Sequence, residues 1–272
     1  MKIKTIASGQ AGVTIEVIDG VSDPLIEIAR EHPDPIAWWI FLNRPKLEAA
    51  ADGLHVLGQR IPEIALSPLG RQLSEGDREA VQRSHDLIRR LLADEIDKPI
   101  VERIRRIDRD WLGAYFFWQG RIELYAPAIA LCSARFGVPI EDMAIVVLAH
   151  ELAHAFTHIG RDIDRRVWKT EDFANADTFL VEGLAQFYTD RVCDRLGERR
   201  SALRTAFDAL NENQSPPYRE FREWKKVGPF VGEAVRHALI DCRVSGIKEH
   251  LIFRSVLKTA HKRLTTAQRD FL

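Results

Sequence analysis

The sequence predicts an α+β fold, mainly helical, with a small hairpin-containing sheet. Apolar residues recur at helical spacing through most of the chain beyond Pro139. Two short β-prone runs flank Gln119-Gly120 at the spacing of a tight hairpin. A hydrophobic content of 46% over 272 residues is enough to bury a substantial core.

The formal charge is −1, with 39 Lys+Arg against 40 Asp+Glu, so no field of one sign favours nucleic acid or an anionic membrane, and neither partner is expected. Cys132, Cys193 and Cys242 are odd in number and far apart, which fits a reducing interior better than a disulfide framework. The opening MKIKTIASGQ breaks into polar residues before an apolar stretch develops and makes a poor signal peptide. The apolar run at 143–149 stops at His150 and Glu151, well short of a membrane span. A cytoplasmic protein is expected.

Along the chain, residues 2–7 and 13–18 alternate apolar and polar around Gly9 to Gly12, the pattern of a hairpin. From Ser22 to about Gly70, six prolines, Pro45 and Pro62 among them, predict short helices and loops. Ser74 and Asp77 look like caps for a helix to about Ile96, and a second helix is expected over 98–108. The hairpin pairs Tyr115 to Trp118 with Arg121 to Tyr125. Helices are then predicted over 141–158, 173–195, 199–212, 229–241 and 246–262. The arginines between 103 and 109 and between 199 and 204 read as solvated helix faces.

Chemistry concentrates in Ala149-His150-Glu151-Leu152-Ala153-His154. Four residues make about one helical turn, so His150 and His154 share a face and can hold one ion, while Glu151 stands beside them as a base for an activated water. A chance His-Glu-x-x-His in a chain of this length has odds of roughly one in fifty. Paired histidines on a helix can also be plain buried polar groups. Glu182 tips the balance: in Phe179-Leu-Val-Glu182-Gly183-Leu-Ala-Gln186-Phe-Tyr188 a carboxylate stands in an apolar helical stretch, where it is costly unless it meets a cation. Gly183 beside it would allow a neighbouring element to come close. His158 follows His154 by a further four positions, but ligands on three successive turns would spread over about 12 Å, too far for one ion.

His-Glu-x-x-His followed after 27 residues by the glutamate of Val-Glu182-Gly-Leu-Ala resembles the gluzincin metallopeptidases. The resemblance covers about residues 112–195. It implies a zincin-like catalytic domain whose sheet lies over the metal helix, with one Zn2+ held by His150, His154 and Glu182 and with Glu151 as general base. It also implies a peptide or protein substrate, aligned on an edge strand formed by Ile122, Leu124 and Tyr125. Two departures from the family pattern stand out. Gln186 occupies the place of an acidic residue that commonly supports a histidine ligand, and can accept an imidazole N–H without the charge. The Tyr-x-x-Gly element of the aminopeptidase branch has Lys225 in the tyrosine slot before Gly228, which leaves Tyr218 and His237 as candidates to steady the tetrahedral intermediate. Asp177, ahead of the Glu182 helix, is either a cap or an orienter of a histidine ligand, as is Asp172.

Residues 111–272 are therefore expected to form a zincin-like metallopeptidase domain, preceded by an N-terminal segment over 1–110. A binding or regulatory module that keeps the zincin shape without turnover is the alternative.

Overall fold

The computed structural model describes residues 13–65, 75–106, 111–160 and 166–269. Among them the chain is mostly helical around a small mixed sheet, an α+β arrangement. Strand β1 (Thr14–Ile18) leads into α1 (Asp23–Glu31), α2 (Pro35–Ala65), α3 (Glu75–Ala93) and α4 (Lys98–Arg105). Strands β2 (Gly113–Phe116) and β3 (Arg121–Tyr125) form a hairpin where one was expected, but the first strand starts and ends two residues earlier and residues 117–120, not Gln119-Gly120 alone, make the turn; α5 (Ala126–Phe136) and α6 (Ile140–Ile159) follow. Helices α7 (Thr170–Ala174), α8 (Thr178–Gly197) and α9 (Ser201–Glu212) come next. A 3-10 turn at Pro216–Arg219, α10 (Phe221–Lys225), α11 (Val231–Ser245) and α12 (His250–Arg269) complete the order.

The sheet order is β1-β3-β2, with β1 parallel to β3 and β2 antiparallel to it. Leu124 thus pairs with Val17 on one side and Gly113 on the other. The strand carrying Ile122, Leu124 and Tyr125 is therefore central. This corrects its expected role as the free edge, because its main-chain groups are engaged by β1 and β2. Among the described residues the edge nearer α6 is β2. The expected hairpin partner of β1, residues 2–7, lies outside the described residues, as does Ser74.

Both the sheet and the core cross residue 110. Val13, Ile28 and Phe41 belong to the same buried cluster as Ile122, Met143, Leu180 and Leu239. Helices α2 and α5 depart from expectation. The long α2 runs through Pro45 and Pro62 instead of breaking. Proline removes one helical hydrogen bond, yet packing on both flanks retains the helix: α2 lies along α3 and α5, and Pro45 rests against Gly137, whose φ of +65° closes α5. Residues 126–136, for which no helix was expected, form α5, with Pro127 in its first turn, where a missing N–H costs nothing. Some of the arginines read as solvated instead neutralise buried carboxylates, as in Arg200 Nε to Asp142 at 2.6 Å and Arg204 to Asp190 at 2.6 Å.

Helix α6 is the centre of the molecule. It is apolar on most of its circumference and packs most extensively against α8. Glu141 and Asp142 stand in its first turn, favourably for the helix dipole. At the other end the buried Arg243 of α11 donates to the carbonyls of Phe156 (2.7 Å) and Thr157 (3.2 Å) in the last turn, beside the Gly160 N–H that Phe156 also accepts.

Candidate metal centre

One turn apart on α6, His150 and His154 direct their Nε2 atoms to the same point, 3.0 Å from each other. From α8, the Oε2 atom of Glu182 comes within 3.2 Å of His150 Nε2 and 3.5 Å of His154 Nε2. All three side chains are buried. Both histidines are close enough to donate an imidazole N–H to this carboxylate, and the same three atoms, one from each buried side chain, also stand at ligand spacing.

Distances test whether one ion fits. Tetrahedral ligands at about 2.05 Å from a zinc ion lie roughly 3.3 Å apart, and the observed triangle has sides of 3.0, 3.2 and 3.5 Å. A single point about 0.8 Å off its plane is about 2.05 Å from all three atoms, which leaves a fourth direction open. The donor set of two imidazoles and one carboxylate also suits a divalent borderline ion.

Electrostatics favour the ligating forms. Burial, reinforced by the His154 imidazole, pushes His150 below its ordinary pKa. Burial opposes ionisation of Glu182, but the two imidazoles outweigh it and hold the carboxyl well below the usual carboxylate range. A neutral imidazole and an ionised carboxylate are the states that bind metal.

Glu151 is 2% exposed and faces strand β2. A Cβ placed on Gly113 would lie 3.0 Å from Glu151 Cγ, so strand and Glu151 are closely packed and a larger residue at 113 would crowd the carboxylate's side chain. His150, Glu151 and Gln186 share one cleft with Gly113, Tyr218 and the apolar side chains of Val146, Phe207 and Leu210. Tyr218 stacks on the His150 ring, and its carbonyl accepts from Asn211 Nδ2 at 2.9 Å, which secures the 3-10 turn in place.

Other expected site residues lie elsewhere or act differently. His237 is on the exposed side of α11, whose opposite face buries Ala234, Val235, Ala238 and Leu239, and it lines a separate hollow with Asp241 and Ser255. It takes no part in the cluster. Asp177 caps α8 by accepting from Phe179 N at 2.9 Å, and Asp172 pairs with Lys248 at 2.8 Å. Gln186 lines the cleft but donates to Gln214 at 3.0 Å, while its own Oε1 and the buried His150 Nδ1 lack protein partners. The expected Gln186–imidazole bond is thus replaced by an amide pair. Gly183 admits the Trp224 indole, 2.7 Å from a built Cβ, and not the metal helix. Gly113 and the α9 residues of the cleft were missed in the sequence, since they reach the site only through tertiary packing.

Comparison of the chain with protein-family models, with curated proteins and with solved structures found no match.

Proposed function

We propose that this protein is a zinc-dependent metallopeptidase with a zincin-like catalytic domain, and that it hydrolyses peptide bonds. The observation that carries this proposal is the convergence of His150, His154 and Glu182 on one point, with Glu151, next to His150 in the chain, at the wall of a narrow cleft. His150, His154 and Glu182 would hold one Zn2+. A bound zinc ion polarises a carbonyl and acidifies water.

The chain's own groups supply the rest. Glu151 accepts the proton of the attacking water and returns it to the leaving amine, a role its burial and its position between helix and strand support. Tyr218, in the same cleft, donates its phenolic hydrogen to the oxygen on which charge develops. An extended peptide aligns along β2. Tyr125 N donates to Leu112 O, so alternation along the antiparallel pair turns the N–H and C=O groups of Gly113 and Tyr115 away from β3, toward the edge that no strand occupies among the described residues. The buried free cysteines support a reducing compartment, which we take to be the cytoplasm. Among the described residues no helix is long and apolar enough to cross a membrane.

A catalytically silent binding module would hold the same ion. Glu151→Gln separates the two: loss of peptide hydrolysis with zinc retained supports the enzyme, and a zinc-loaded wild type that cleaves no member of a peptide library supports the silent module.

A further inference from the structure

We propose that Tyr115 and His158 are positioning residues: their hydrogen bond fixes the β2 edge over the metal helix and thereby aligns an extended peptide with Glu151. This rests on the metallopeptidase proposal above.

Strand β2 is only four residues long and is tied to the sheet on one side. What sets its place on α6 is the side-chain face shared by Gly113 and Tyr115, which alternate with the outward positions Ala114 and Phe116. At Gly113 the contact with Glu151 and Val147 is close but has no direction, since a glycine can slide across it. Two residues on, the Tyr115 hydroxyl lies 3.0 Å from His158 Nδ1, and this bond does have direction. His158 follows Glu151 by seven positions, close to two helical turns, so base and anchor occupy one face of α6.

The anchor is itself held. His158 is 1% exposed, its Nε2 is 3.2 Å from Thr170 Oγ1, and its ring stacks on Phe173 at 4.7 Å and 19°. A neutral imidazole presents one donor and one acceptor, and each hydroxyl partner can take either part, so both ring nitrogens are satisfied. The outward main-chain groups of Gly113 and Tyr115 therefore keep a fixed distance along α6 from the carboxylate of Glu151. A small misplacement of a substrate costs far more than the bond that prevents it.

Zinc-loaded wild type, Tyr115→Phe, His158→Leu and His158→Gln are to be compared on a fluorogenic octapeptide and on a blocked dipeptide too short to follow the strand. The expected result for Tyr115→Phe and His158→Leu is a KM for the octapeptide raised roughly tenfold, and for His158→Leu, which lies outside the binding strand, kcat and the dipeptide kinetics stay near wild type. His158→Gln, which can still bond the hydroxyl, restores the octapeptide KM. The double variant Tyr115→Phe/His158→Leu is no worse than either single one, as two ends of one bond require. A second readout is octapeptide affinity in the zinc-loaded Glu151→Gln background, where Tyr115→Phe should weaken binding by the same factor. Parallel losses on both substrates, or an unchanged octapeptide KM in folded variants, overturn the proposal. If wild type binds octapeptides without cleaving them, the metallopeptidase proposal fails, and the positioning role stands only if Tyr115→Phe weakens that binding. Absence of any binding overturns both.

Discussion

Tyr218 stacks on the imidazole of His150, with ring centroids 5.6 Å apart and planes inclined at 26°. The same side chain thus borders one of the three converging residues and the cleft where the proposed substrate would lie. Tyr218→Phe keeps the stacking and removes the hydroxyl, so kcat should fall about 10²-fold at constant zinc content. Kinetics on a cleaved peptide with metal analysis of the same sample checks this. A kcat near wild type would remove Tyr218 from the chemistry.

Metal binding should be linked to stability through the three converging side chains. Zinc at about 100 times its dissociation constant adds about 2.7 kcal/mol to the folded state. Thermal unfolding should therefore shift upward with zinc in wild type and Glu151→Gln, and should not shift in His150→Ala or Glu182→Gln. Equal zinc responses in His150→Ala and Glu151→Gln would contradict the separation of ligand and base.

Gly113 tests the contact between strand and base. In Gly113→Ala the new methyl would meet Glu151 Cγ and Val147 Cγ1 at 3.0 Å and the Glu123 carbonyl at 3.1 Å, so the Glu151 side chain or the strand must give by a few tenths of an ångström. Overpacking of this kind costs about 1–3 kcal/mol. The expected outcome is a lower Tm and reduced peptide hydrolysis with one zinc per chain still bound. Unchanged activity would show that β2 does not govern the position of Glu151.

These contrasts also show what was legible in the chain. Two histidines one turn apart and a carboxylate in an apolar run are local signals, and the trio they mark does converge. The hairpin and the helices after Pro139 followed local periodicity for the same reason. Sheet order was not legible, because β1 pairs with β3 from far away in the sequence and that pairing turns β3 from an edge into the centre. His237 misled because an exposed helical histidine has the same local sequence appearance as one facing a site. The prolines of α2 misled because tertiary packing on both flanks overrides a local break.

His158 makes acid sensitivity testable. Burial, aided by Arg243, pushes its pKa from 6.5 down to about 4. The unfolded chain therefore takes up a proton that the folded chain refuses, and stability present above pH 6.5 is lost as pH falls toward 4. In metal-free protein, the Tm of wild type should drop more steeply across that window than the Tm of His158→Gln. Parallel curves would show that this group does not contribute.

Peptide hydrolysis at one metal-loaded site with Glu151 as its base is tested most directly by turnover of a peptide library by zinc-loaded wild type and Glu151→Gln, with zinc counted in both. Cleavage by wild type, abolished in Glu151→Gln at one zinc per chain in each, is the predicted result. Cleavage that survives Glu151→Gln, or wild type that holds its zinc and cleaves nothing, would contradict it.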